Sequence, residues 1–220
     1  MNALVFDLDG TLLDTLEDIA RAGNAVLTAH GFPARSLPEY RQLVGRGFRS
    51  LIRNALPAEA AATLTEEGLD ALVTEARAWY GANLCRATRP YPGIPEALHG
   101  LAEAGRTLAV LSNKPHELTV ALVRRFFPGV PFTQVFGGRD GMPLKPDPTV
   151  LLEMLRGMGV PPARALYVGD SDVDVFTARN AGMTSIGVAW GFRGADELRN
   201  AHADHIVTAP AELAAVAEEA

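Results

Sequence analysis

Asp7 and Asp9, in the string Asp7-Leu8-Asp9-Gly10-Thr11, are the residues best placed for chemistry in this chain. They follow a short apolar run, Ala3-Leu4-Val5-Phe6, which reads as a strand buried on both faces. Alternation along an extended chain puts both carboxylates on one side. At ~4 Å and an effective dielectric of ~20 they repel by about 4 kcal/mol. A cation or a shared proton would relieve that repulsion. A hard divalent cation such as Mg²⁺ takes one or two carboxylates together with phosphate oxygens. The same string also suits a β-turn with an Asx cap ahead of a helix, so the remaining residues must discriminate.

Three later segments carry matching chemistry. Ser112-Asn113 directly follows the apolar run Thr107–Leu111, with Lys114 and Pro115 expected to open the next helix. A hydroxyl and N–H groups at a helix N-terminus suit an anion, although a simple Ser or Asn cap before Pro has the same pattern. Leu144-Lys145-Pro146-Asp147-Pro148 holds a lysine in a proline-stiffened lead into a helix, or else an exposed loop lysine. Gly169-Asp170-Ser171-Asp172-Val173-Asp174 places three acids within five residues after the strand Ala165–Val168. Asp172 suits a helix N-terminus, where acids are stabilised by the dipole. Asp170 lies at the strand end, where it could share a metal with Asp7. Lys114 and Lys145 are the only two lysines among twenty Lys and Arg residues. A chain that otherwise uses Arg would keep Lys where a compact ammonium is needed.

The elements that must position these residues alternate. From about Ala87 onward, strands are predicted at Thr107–Leu111, Phe132–Phe136, Ala165–Val168, Ser185–Ala189 and His205–Val207. Helices fall between them at 116–127, 148–158, 172–181 and 195–201, with a last one from Ala211. This pattern predicts an α/β fold, a Rossmann-like, doubly wound, mainly parallel sheet. In such sheets the ligand crevice lies beyond the carboxyl ends of the strands. Residues 15–86 lack strand signals. Thr15-x-x-Asp18 suggests a capping box, and helices are expected at 37–44, 48–56 and 59–84. This stretch is therefore read as a helical bundle inserted after the first strand. The expected domains are a discontinuous core of residues 1–14 and 87–220 and a helical cap of residues 15–86.

Composition narrows the function classes. Across 220 residues, 48% are apolar and the net charge is −6, so nucleic acid and anionic membranes are not expected partners. Cys85 is the only cysteine, which excludes an intrachain disulfide and a thiolate metal cluster. His30, His99, His116, His202 and His205 lack metal-ligand spacing. The first residues show no signal-peptide pattern, and the expectation is a cytoplasmic protein.

Taken together, Asp-x-Asp-Gly-Thr at 7–11, Ser112, Lys145 and Gly-Asp-Ser-x-x-Asp at 169–174 resemble the haloacid dehalogenase superfamily of aspartate-nucleophile phosphatases. The resemblance spans the whole chain. Within that superfamily, phosphoglycolate phosphatases are similar in Val44-Gly45-x-Gly47, Tyr91-Pro92-Gly93-Ile94 and Leu111-Ser112-Asn113-Lys114. The resemblance implies Asp7 as nucleophile and Asp9 as general acid and base. It implies Mg²⁺ held by Asp7, the Asp9 carbonyl and Asp170. Gly10, Thr11, Ser112 and Asn113 would bind phosphate, Lys145 would offset its charge, and Asp174 would orient Lys145 or a metal-bound water. A small-molecule phosphate ester is the expected partner, and both a monomer and a homodimer are compatible.

Arg41, Arg46, Arg49 and Arg53 fall in a stretch without acids. Phe48, Leu51, Ile52, Ala55 and Leu56 form an apolar stripe, and Arg46, Arg49 and Arg53 lie off it. These arginines form either a solvated face or, through Arg46, Gly47 and Arg49, a grip on an anionic leaving group, as 2-phosphoglycolate would require. Within the superfamily, a pyrophosphatase and a sugar-phosphate phosphatase or mutase stay open as alternatives. Outside it, a phospho-accepting signalling module or a non-catalytic binding protein are the other readings.

Overall fold

The computed structural model describes residues 3–219; residues 1–2 and 220, counted in the expected core, lie outside them. Among the described residues eight strands are formed: β1 Ala3–Phe6, β2 Leu13–Asp14, β3 Arg89–Pro90, β4 Thr107–Pro115, β5 Phe132–Gly138, β6 Ala165–Gly169, β7 Thr184–Val188 and β8 His205–Val207. The helices are α1 Leu16–Ala29, α2 Leu37–Leu43, α3 Gly47–Ala55, α4 Ala58–Thr63, α5 Glu66–Ala82, α6 Ile94–Glu103, α7 His116–Phe126, α8 Thr149–Met158, α9 Asp172–Ala181, α10 Gly194–Asn200 and α11 Glu212–Glu219. Two compact units result, one of residues 1–14 with 90–220 and one of residues 15–89.

The first unit is built on a six-stranded sheet in the order β5-β4-β1-β6-β7-β8. Its neighbouring strands pair in parallel throughout, as the alternation of strand and helix predicts. β1 sits in the middle and all four of its residues are fully buried, which is why the run is apolar without alternation. Tyr167 on β6 and Val5 on β1 pack with Leu151, Met154 and Leu155 of α8 and with Ala178 of α9 in one core cluster. Register sets the level of the strand ends: Phe6 is opposite both Val110 of β4 and Val168 of β6. Asp7 continues this pairing through its N–H to the Val168 carbonyl at 2.9 Å. The chain builds β4 and β5 on one side of β1 and β6, β7 and β8 on the other. A crevice opens at such a reversal of strand order.

Two details of this unit differ from expectation. β4 runs on to Pro115 through an irregular register after Leu111, and α7 starts only at His116. Ser112 and Asn113 therefore sit in extended chain, not at a helix N-terminus. α6, with Pro95 in its first turn and a left-handed Gly93 ahead of it, is an additional helix that the periodicity reading passes over.

Apart from Arg89, which opens β3, the regular structure of the second unit is helical. α1 and α3 pack on α5, and the predicted stripe Phe48, Leu51, Ile52, Ala55 and Leu56 is buried. The helix expected over 59–84 is two helices, because Thr65 turns the chain and caps α5, its hydroxyl accepting the Gly68 N–H at 3.1 Å. The box expected at Thr15 is also absent. The Thr15 ψ of 1° is not extended, and its side chain makes no capping bond. Asp18 instead accepts the Thr88 N–H at 2.9 Å and the Thr88 hydroxyl at 2.7 Å, across 70 residues. Among the described residues no helix is long and apolar enough to cross a membrane.

Candidate active site

The carboxyl edge of the sheet gathers charge that a protein interior ordinarily excludes. Asp7, Lys114, Lys145, Asp170 and Asp174 are all buried, as are Ser112 and Asn113. Lys145 Nζ lies 2.7 Å from Asp174 Oδ1 and 2.9 Å from Asp7 Oδ1. The bond to Asp174 is aligned. The contact with Asp7 is an ion pair without hydrogen-bond alignment, so Asp7 Oδ1 has no hydrogen-bond partner among the described residues. Both Asp174 oxygens accept hydrogen bonds, because Oδ2 accepts the Ser171 N–H at 3.1 Å and the Ser171 hydroxyl at 2.7 Å. One residue thus caps α9 and aims the lysine.

Asn113 fixes the other end of that lysine. Its Oδ1 accepts the Lys145 N–H at 2.8 Å and its Nδ2 donates to the Lys145 carbonyl at 3.0 Å. This paired contact anchors the backbone from which the ammonium projects. Ser112 Oγ accepts the Lys114 N–H at 3.3 Å. In the loop after β1, the Gly10 N–H donates to the Leu13 carbonyl and the Thr11 N–H to the Leu8 carbonyl. Those two donors are spent within the turn, while the buried Thr11 hydroxyl has no hydrogen-bond partner among the described residues.

The sequence reading omits two contributors. Lys114, read as the start of a helix, sends its ammonium to both oxygens of Asp9, at 3.0 and 3.2 Å, across 105 residues. Its side chain is completely buried. Both lysines of the chain therefore end on carboxylates of this cluster, and their rarity was the available signal. The second contributor is the loop after β7. The Phe192 N–H donates to Asp170 Oδ2 at 2.7 Å, and the Trp190 indole N–H donates to the Thr11 carbonyl at 3.0 Å.

The cluster is short of positive charge. Asp7, Asp170 and Asp174 can each offer a ligand oxygen within 4.8 Å of the others. Burial pushes Asp7 up to about 6; Lys145 opposes this, while Asp174 and Asp9 add to it. Burial, Asp174 and Asp7 hold Asp170 well above the usual carboxylate range. Burial works against the Lys145 ammonium, but Asp174 and Asp7 outweigh it and hold the lysine well above its ordinary value. Three buried carboxylates facing one ammonium, with one oxygen unpartnered, match the donor set of a divalent cation.

The helical unit presents a different charged group. Arg49 pairs with Glu66 and Asp70 of α5, and Arg53 pairs with Glu66 at 2.6 Å; all four side chains are substantially exposed. Arg46 is also exposed, and Gly47 opens α3.

Comparison with known proteins agrees with this geometry. Residues 4–188 match the model of the haloacid dehalogenase-like hydrolase family. The phosphoglycolate phosphatase of Agrobacterium fabrum is 37% identical over 86% of this chain and 80% of its own. That of Mannheimia succiniciproducens is 32% identical over 94% of both chains. A crystal structure assigned to a phosphoglycolate phosphatase of Lactobacillus delbrueckii subsp. bulgaricus superposes with a TM-score of 0.88 at 30% identity, covering 98% of this chain and 97% of that one. The chain belongs to the haloacid dehalogenase-like hydrolases, and within them it is a phosphatase.

Proposed function

We propose that this phosphatase is a Mg²⁺-dependent phosphomonoesterase that works through an aspartyl-phosphate on Asp7, with 2-phosphoglycolate or a closely similar small anionic ester as substrate. The observation that carries this reading is the buried Asp7, whose Oδ1 lacks a hydrogen-bond partner among the described residues and lies 2.9 Å from Lys145 Nζ. Its carboxylate would attack phosphorus in line, the P–O bond to the leaving group would break, and the phosphoryl group would pass to Asp7. Asp9 would give a proton to the leaving oxygen and then take one from the water that hydrolyses the acyl phosphate. Lys114 would hold the Asp9 carboxylate in place between these steps. Lys145, aimed by Asp174 and anchored by Asn113, would offset charge on Asp7 and the phosphoryl oxygens. Ser112, the Asn113 backbone, Gly10 and the Thr11 hydroxyl would line the phosphate position.

Asp7, the Asp9 carbonyl and Asp170 would hold Mg²⁺. When bound, the cation would neutralise the excess carboxylate charge and polarise the phosphoryl group. Residues 15–89 would act as the substrate-selecting cap, with Arg46, Gly47 and Arg49 as its anion-recognition residues. The two relatives that bear the phosphoglycolate phosphatase name support this substrate class. A cytoplasmic location fits the composition, and both a monomer and a homodimer are compatible with this reading.

Phosphate release from a panel of 2-phosphoglycolate, pyrophosphate, nucleoside monophosphates and hexose phosphates tests the reading. The expected result is the highest kcat/KM on 2-phosphoglycolate, loss of activity on chelation and its return with Mg²⁺. Higher kcat/KM on pyrophosphate or a hexose phosphate would overturn the substrate assignment. No release from any substrate would overturn the catalytic one.

A further inference from the structure

We infer that the loop after β7, Trp190-Gly191-Phe192, is a positioning device that leaves Asp170 one free oxygen and so biases the site toward Mg²⁺ over Ca²⁺. The inference rests on the divalent-cation reading above. Asp170 Oδ2 is occupied by the Phe192 N–H at 2.7 Å, a charge-assisted bond from a buried residue. Oδ1 is the oxygen left clear of this bond, and a cation that chelated Asp170 through both oxygens would have to compete with the Phe192 N–H for Oδ2. Ca²⁺ takes six to eight oxygens and often binds a carboxylate through both, whereas Mg²⁺ keeps water and takes one oxygen per carboxylate. A carboxylate whose second oxygen is already held by a backbone N–H, as in Asp170, therefore suits the smaller ion.

The loop can reach Asp170 only because residue 191 is glycine. A Cβ there would lie 2.3 Å from Asp170 Cβ and 2.4 Å from the Gly10 carbonyl oxygen. Neither neighbour is the end of a flexible side chain, so a larger residue must displace the loop. The close approach is reciprocal, because a Cβ on Gly10, whose φ is +90°, would lie 2.3 Å from Asp170 Oδ2. The loop is tied on both sides. Trp190 holds the Thr11 carbonyl, and Arg193 Nε lies 3.7 Å from Glu197, whose Oε1 accepts the Asp172 N–H at 3.2 Å. Asp170 and the segment carrying Asp7 and Asp9 are thus held in register by a loop that contributes no charged ligand.

Calorimetric titration of the intact protein with MgCl₂ and with CaCl₂ tests this directly. Gly191→Ala is expected to weaken Mg²⁺ binding by about tenfold or more, within the range for residues that orient metal ligands, and Ca²⁺ binding by clearly less. Trp190→Phe keeps the ring and loses the N–H; it is expected to narrow the Mg²⁺/Ca²⁺ affinity ratio in the same direction by a few-fold, with an unchanged melting temperature. An unchanged ratio in a folded Gly191→Ala protein would overturn the inference and leave the proposed function standing. If Gly191→Ala does not fold, an unchanged ratio in Trp190→Phe overturns it. Absence of Mg²⁺ binding in the unsubstituted protein would overturn both.

Discussion

In the α/β unit, Asp7, Asp9, Asp170, Asp174, Lys114 and Lys145 form a charged cluster whose paired side chains are at most 11% exposed. In the helical unit, Arg49, Arg53, Glu66 and Asp70 form another whose side chains are 42–64% exposed. The first sets four acids against two lysines, the second two acids against two arginines, and their energetics are opposite. Ions in the first lose water at a cost of several kcal/mol each, which mutual attraction repays only with good geometry. Ions in the second keep most of their hydration, and exposed pairs of this kind contribute little. The buried cluster calls for a compensating role, which the proposed chemistry would supply, whereas the exposed arginines keep water contact and losing a partner there costs little.

That contrast can be broken in graded steps. Asp7→Asn should lower kcat by at least about 10⁴-fold, as loss of a nucleophile does, with no loss of melting temperature. Near-normal turnover in the folded variant would remove Asp7 from the chemistry. Asp174→Ala strips one partner from Lys145 and uncaps α9, so chemical denaturation should report a loss of about 3 kcal/mol. A loss close to zero would mean that the cluster tolerates unpaired charge. Lys114→Met should lower kcat by about 100-fold, the scale of a misplaced acid–base group, while Mg²⁺ affinity in calorimetry stays the same. Equal effects on both would make Lys114 part of the cation site instead. Arg49→Ala should raise KM for 2-phosphoglycolate by about tenfold, the loss of one charge-assisted contact, with stability unmoved. An unchanged KM for every anionic substrate would reduce the arginines to a solvated face.

Legibility in the sequence followed the same division. β1 and its two Asp residues were readable because a short apolar run ending in acid has few uses other than a buried strand delivering charge to a sheet edge. Asp170 was readable for the same reason at the end of β6. Lys114 was misread because Pro115 has the appearance of a first helical residue, while the chain stays extended to Pro115 before α7 begins. Its partner Asp9 is 105 residues away, a separation that local pattern does not carry. Asp18 escaped for a similar reason, since its Thr88 partner is 70 residues on. The loop at 190–192 gave no signal at all. It acts through a backbone N–H, an indole N–H and the lack of a side chain, none of which differs in sequence from an ordinary apolar loop. The acids facing Arg49 were likewise invisible in the acid-free stretch around it, because Glu66 and Asp70 come from α5.

If Asp7 is the nucleophile, it becomes phosphorylated during turnover. Acid-quenched protein, mixed briefly with 2-phosphoglycolate and Mg²⁺, can be digested and the Asp7 peptide examined by mass spectrometry. One phosphoryl group is expected on Asp7, present in the first turnovers and absent when Mg²⁺ is chelated. Phosphate release at full rate with an unmodified Asp7 peptide, or with the phosphoryl group on another residue, would contradict it.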